Sequence, residues 1–136
     1  MRLYVGVALV LISLVAGSSS VAQDAGVTEP TKLFEKRVAG MPKTELQEIR
    51  VLTATLKPGD KTALHTHKFP VTVYVLEGAF TVEMEGRRPK TVSAGYAFME
   101  RPNVPMTGYN RSATDPVRLV MFYVSEPDTP FMDPLQ

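Results

Sequence analysis

From Glu48 onward, apolar and polar residues alternate with a period of two. Ile49, Val51, Thr53 and Thr55 interleave with Arg50, Leu52, Ala54 and Leu56, the spacing of a β-strand whose side chains point to opposite faces in turn. Lys57-Pro58-Gly59-Asp60 stops that run with turn chemistry. Thr62 to His67 reads as a second short strand, broken by Phe69-Pro70. Val71 to Leu76 is β-branched and aromatic and ends at Glu77-Gly78, with Ala79 to Met84 at once behind it, which predicts a hairpin. Further strands are predicted over Lys90 to Val92, Tyr96 to Met99 and Val104 to Tyr109, with Val117 to Val124 the longest apolar one. No later segment has a helical period, Lys43 to Glu48 amounting to one turn. Short strands with turn signals about every 8 to 12 residues predict a small all-β barrel or sandwich, without linker, repeat or second domain.

The ends depart from this alternation. Met1-Arg2, the almost continuously apolar Leu3 to Ala16 and the small residues Gly17 to Ala22 have the organisation of a signal peptide, with cleavage expected after Ala22. The apolar stretch is shorter than the roughly 20 residues that span a bilayer, so no stable membrane insertion is expected after cleavage. Residues 23–31 read as a flexible leader, residues 32–130 as the domain, and residues 131–136 as an irregular tail, since Pro127, Pro130 and Pro134 interrupt regular pairing.

Charge and cysteine content narrow the setting. The chain has 15 Lys and Arg against 14 Asp and Glu, and loss of the leading segment removes Arg2 alone. Such a balanced surface offers nothing to nucleic acid or an anionic membrane. With no cysteine, stability has to come from a packed core. Export without thiols fits a bacterial protein that is periplasmic or secreted.

Candidate chemistry is concentrated at one place. The only two histidines, His65 and His67, are two residues apart in a predicted strand, which puts them on one face with Cβ atoms roughly 6.5 Å apart. Two imidazoles so placed can converge on one ion at about 2.0 to 2.1 Å.

Around this pair, Pro58-Gly59, His65, His67 and Tyr74-Val75-Leu76-Glu77-Gly78 form one block. Gly95, Glu100-Arg101-Pro102-Asn103-Val104-Pro105, Met106 and Asn110 form a second. Together they resemble the two motifs of the cupin superfamily, over about Glu48 to Pro130. The resemblance implies a small single-domain cupin, cupin 2 type, folded as a double-stranded β-helix or jelly-roll barrel. It also implies a metal site of three histidines and a glutamate, and there the chain departs: Val71 stands at the glutamate position and Met106 at the third histidine.

The donors left are His65, His67 and Met106, with no carboxylate. Two imidazoles and a thioether suit copper, above all Cu(I); iron, zinc and a metal-free barrel stand as alternatives. Met106 also reads as core filler, and Met99 and Met121 as further thioethers or barrel packing. Glu77 is expected in solvent, Glu100 is a candidate carboxylate at the pocket mouth, and Asn110 and Gly78 are turn residues. One hydroxyl of Tyr74 or Tyr109 could line the pocket.

Three functions compete. One is a binding protein that holds a metal ion or a small organic ligand between apolar walls of Val71, Val73 and Val75, without turnover. A second is a metal-dependent oxygenase of the quercetin-dioxygenase-like cupin type. A third is a structural or regulatory homodimer joined through sheet edges. Nucleophile-elbow triads and phosphate-cradling glycine motifs are absent from the sequence.

Overall fold

The longer alternating and apolar runs become strands. The computed structural model describes Gly26 and residues 28–136; the expected signal segment, residues 1–22, lies outside them, and so does part of the leader. Among the described residues there is no helix. The strands are β1 (Glu48–Leu56), β2 (His65–Thr66), β3 (Val71–Glu77), β4 (Ala79–Met84), β5 (Lys90–Ser93), β6 (Ala97–Glu100), β7 (Met106–Asn110), β8 (Val117–Ser125) and β9 (Asp133–Pro134).

They form two antiparallel sheets, with strand orders β1-β8-β3-β6 and β5-β4-β7-β2-β9. Period-two patterning decides which face each residue takes. In β3, Val71, Val73 and Val75 are buried while Thr72 and Tyr74 are half-exposed. In β1, Ile49, Val51, Thr53 and Thr55 face solvent. The inward residues of both sheets share one core, in which Phe80 of β4 and Phe98 of β6 stack across the sheets at 6.0 Å. Fully burying a side chain of this size contributes about 1.5 to 3 kcal/mol, so the core, not charge pairing, holds the sheets together. This architecture is the expected all-β, jelly-roll double-stranded β-helix.

Three local expectations need correction. First, β3 and β4 do not form a hairpin, because they belong to different sheets. Only Gly78 separates them, and a hairpin loop takes at least two residues. The end of β3 instead bonds to the turn before β6, with Val75 N–H donating to Tyr96 O and Gly95 N–H to Val75 O. Gly78 adopts φ +76°, and a Cβ there would stand 2.4 Å from the Pro116 carbonyl oxygen, so only glycine turns this corner without strain.

Second, Thr62 to His67 is regular only at His65–Thr66. Thr62 bonds to Gly108 through its backbone N–H and its hydroxyl oxygen, and Lys61 makes an isolated bridge to Tyr109. Third, the tail expected to be irregular contains β9, which pairs with β2 at His65↔Pro134 and Thr66↔Asp133. An edge strand tolerates Pro134 because the missing N–H can face away from the ladder.

Candidate functional site

Both histidines point into the barrel. His65 and His67 are 5% and 1% exposed, and their rings meet edge to face with centroids 4.8 Å apart. The spacing of two along an extended segment produces this, as expected. The His67 carbonyl accepts a hydrogen bond from Asn103 N–H at 2.7 Å, so the left-handed turn at Asn103, φ 58°, clamps the backbone beneath the ring.

Hydrogen bonding fixes what each ring offers. His65 Nδ1 lies 2.7 Å from the Ala63 carbonyl oxygen, and His67 Nδ1 bonds to the Phe131 carbonyl oxygen. A carbonyl only accepts, so both Nδ1 atoms carry hydrogen and both Nε2 atoms of the neutral rings present lone pairs. Those two Nε2 atoms face each other at 3.2 Å. Glu100 Oε2 is also 3.2 Å from His67 Nε2, and Glu100 is only 6% exposed. His67 Nε2 thus faces two further acceptors, His65 Nε2 and the Glu100 carboxylate, an arrangement that is repulsive until a proton or a cation occupies it.

The imidazole pair fits a metal ion. An ion about 2.1 Å from each nitrogen, the usual Zn–N length, would subtend about 100° at a 3.2 Å separation, between octahedral and tetrahedral angles. Among the described residues, no set of three or more His, Cys, Asp or Glu side chains is arranged to hold an ion as it stands. The pair is therefore formed, and the set around it is open.

A cavity of about 90 Å³ adjoins the pair. Its polar lining is Thr62, His65, His67 and Glu100; its apolar lining includes Leu56, Phe80, Leu119, Met121, Phe131 and Met132. Gly108 of β7 also borders it, and a Cβ there would stand 2.3 Å from the Phe80 ring. The missing side chain lets that ring lie against the strand.

Other expected residues are distributed differently. Met106 is the ladder partner of His65, so it shares that face, but it is packed in the apolar core and does not line the cavity. Val71, Val73 and Val75 are core residues rather than cavity walls. Met121 reaches the cavity, whereas Met99 borders a surface groove with Arg101 and Pro102. Tyr74 lies in an outer groove with Phe34 and Phe122, and Tyr109 lies beneath Arg111, so neither hydroxyl lines the cavity. Glu77 is exposed, 3.9 Å from Arg118.

Asn110 is more than a turn residue: buried, it donates from Nδ2 to the Leu56 and Asp115 carbonyls and accepts at Oδ1 from Ser112 N–H. Phe131 and Met132 went unsuspected because their part is played from a proline-rich tail, where no periodic signal marks them.

Comparison with known proteins bears on the barrel. A family model described as Cupin domain matches residues 52–123, more than half of the sequence. No curated protein is significantly similar to it. Among solved structures, a cupin-like protein from Thermotoga maritima superposes with TM-score 0.55 at 18% identity, covering 64% of each chain. DMSP lyase DddQ from Ruegeria pomeroyi gives 0.53 at 17%, over 60% of this chain and 41% of that one. A variant of oxalate decarboxylase from B. subtilis gives 0.54 at 20%, over 65% and 24%. The chain thus spans less than two thirds of each of these proteins, and at such identities the likeness is one of fold. Sheet architecture and sequence converge on a single assignment: this chain belongs to the cupin domain family.

Proposed function

We propose that the barrel binds one transition-metal ion on the Nε2 atoms of His65 and His67, with its remaining coordination positions open to the cavity. The carrying observation is the pair of lone pairs facing each other at 3.2 Å, with both Nδ1 hydrogens already committed to carbonyls. Met106 belongs, on this reading, to the apolar packing behind His65. Cavity size supports an ion over an organic ligand. About 90 Å³ holds a few waters, against the roughly 300 Å³ at which drug-sized ligand pockets begin. That volume is small for an organic substrate such as a flavonol, which weighs against the oxygenase reading. Export to a bacterial periplasm is the proposed setting.

Metal analysis of protein purified from its native compartment tests the proposal. About one ion per chain is expected, and none in the His65→Ala/His67→Ala variant. Equal metal content in the two proteins would overturn it.

A further inference from the structure

We infer that Glu100 supplies the negative charge of the ion site and so selects divalent ions over Cu(I); this deepens, and rests on, the two-histidine reading above. Glu100 ends β6, where Phe98 and Glu100 both turn inward. A carboxylate at an inward position is expensive unless its charge is met. Among the described residues its one ionisable partner within 4.0 Å is His67, at 3.2 Å. The tautomers leave that nitrogen without a hydrogen to donate. The charge is therefore placed for something positive that sits between it and the His67 imidazole.

The consequence is one of selectivity. Oxygen donors suit Mn²⁺, Fe²⁺ and Zn²⁺, whereas imidazole with thioether suits Cu(I). Without Glu100, the cavity would offer two imidazoles and the thioethers of Met121 and Met132, a set that favours copper. The expectation of copper, drawn from a site without a carboxylate, is reversed by this residue. Val71 is the ladder partner of Glu100 on the neighbouring strand, so a side chain there projects from the same face. Charge can therefore be moved one strand over without changing its direction.

The purified protein is titrated with Zn²⁺ and Mn²⁺, and anaerobically with Cu(I) against a competing chelator. Glu100→Gln, which keeps side-chain shape, should weaken Zn²⁺ and Mn²⁺ about 10- to 100-fold, the range seen when a group beside a metal site is removed, and weaken Cu(I), with half the charge, much less. Val71→Glu/Glu100→Val should recover divalent binding. If Glu100→Gln binds Zn²⁺ like the wild type while His65→Ala/His67→Ala does not, the inference falls and the two-histidine site stands. An equal loss of all ions in Glu100→Gln, without recovery in the swapped variant, would mark a structural role and overturn it too. A wild type that binds no ion, or binds as the double-histidine variant does, sinks both.

Discussion

Tyr123 and Asn110 are both buried polar side chains, yet they answer burial in opposite ways. Asn110 fills its donors and acceptor with backbone partners. Its replacement by alanine removes the bonds to the Leu56 and Asp115 carbonyls and to Ser112 N–H, and should destabilise the fold by about 1 to 3 kcal/mol in chemical denaturation without altering ion affinity. The Tyr123 hydroxyl has no hydrogen-bond partner, although its ring packs near His67 and under Arg50. Burial raises its pKa, and the Arg50 guanidinium opposes that rise without cancelling it.

An unfolded tyrosine loses its proton near pH 10, before the folded one does. Stability therefore holds below about pH 10 and falls as pH climbs through the raised folded value. Thermal melts should show Tyr123→Phe at least as stable as the wild type near pH 7, because the unpartnered hydroxyl is gone, with the difference widening above about pH 10. A parallel decline of both proteins would refute the assignment.

At the scale of elements, the tail is a working part of the site. The Phe131 carbonyl holds His67 Nδ1, and β9 pairs with the strand that carries His65. A chain ending at Thr129 should bind Zn²⁺ about 10- to 100-fold more weakly by calorimetry, because the ring loses the acceptor that orients it. Phe131→Ala keeps that backbone carbonyl, so it should lower the melting temperature and largely spare affinity. The sheet-to-sheet corner gives a second test. Gly78→Ala should cost more than about 1 kcal/mol, since its φ disfavours a side chain and the Pro116 carbonyl fills the space.

The positions of the longer strands are legible in the sequence because each is written in a local alternation or apolar run. The partners were not, because a break between two apolar runs looks alike whether the chain reverses or crosses to another sheet. The tail was misjudged for a related reason: proline argues against a central strand but says nothing about a two-residue pairing at an edge.

For the molecule as a whole, one sheet edge carries the remaining prediction. β1 lies at the end of its sheet, with Ile49 75% and Val51 62% exposed. Among the described residues nothing pairs with its outer side; an apolar edge strand of this kind is prone to pair with its like, and an antiparallel pairing of β1 with a second β1 satisfies two-fold symmetry. We propose this as the seat of the expected homodimer. Light scattering should report twice the chain mass, with Val51→Lys shifting it to that of one chain.

Alternation, turn residues and the spacing of His65 and His67 were enough to foretell an all-β barrel with two imidazoles on one side of a strand, since each follows from neighbours within a few residues. Glu100 is a candidate carboxylate in the sequence, but its contact with His67 is of a different kind. Glu100, 33 residues beyond His67 in the chain, reaches it because β6 pairs with β3 in one sheet while β2 lies in the other. The Phe131 carbonyl arrives by an equally distant route. Proximity of that sort comes from how the sheets close over a shared core, and no local pattern of side chains encodes it.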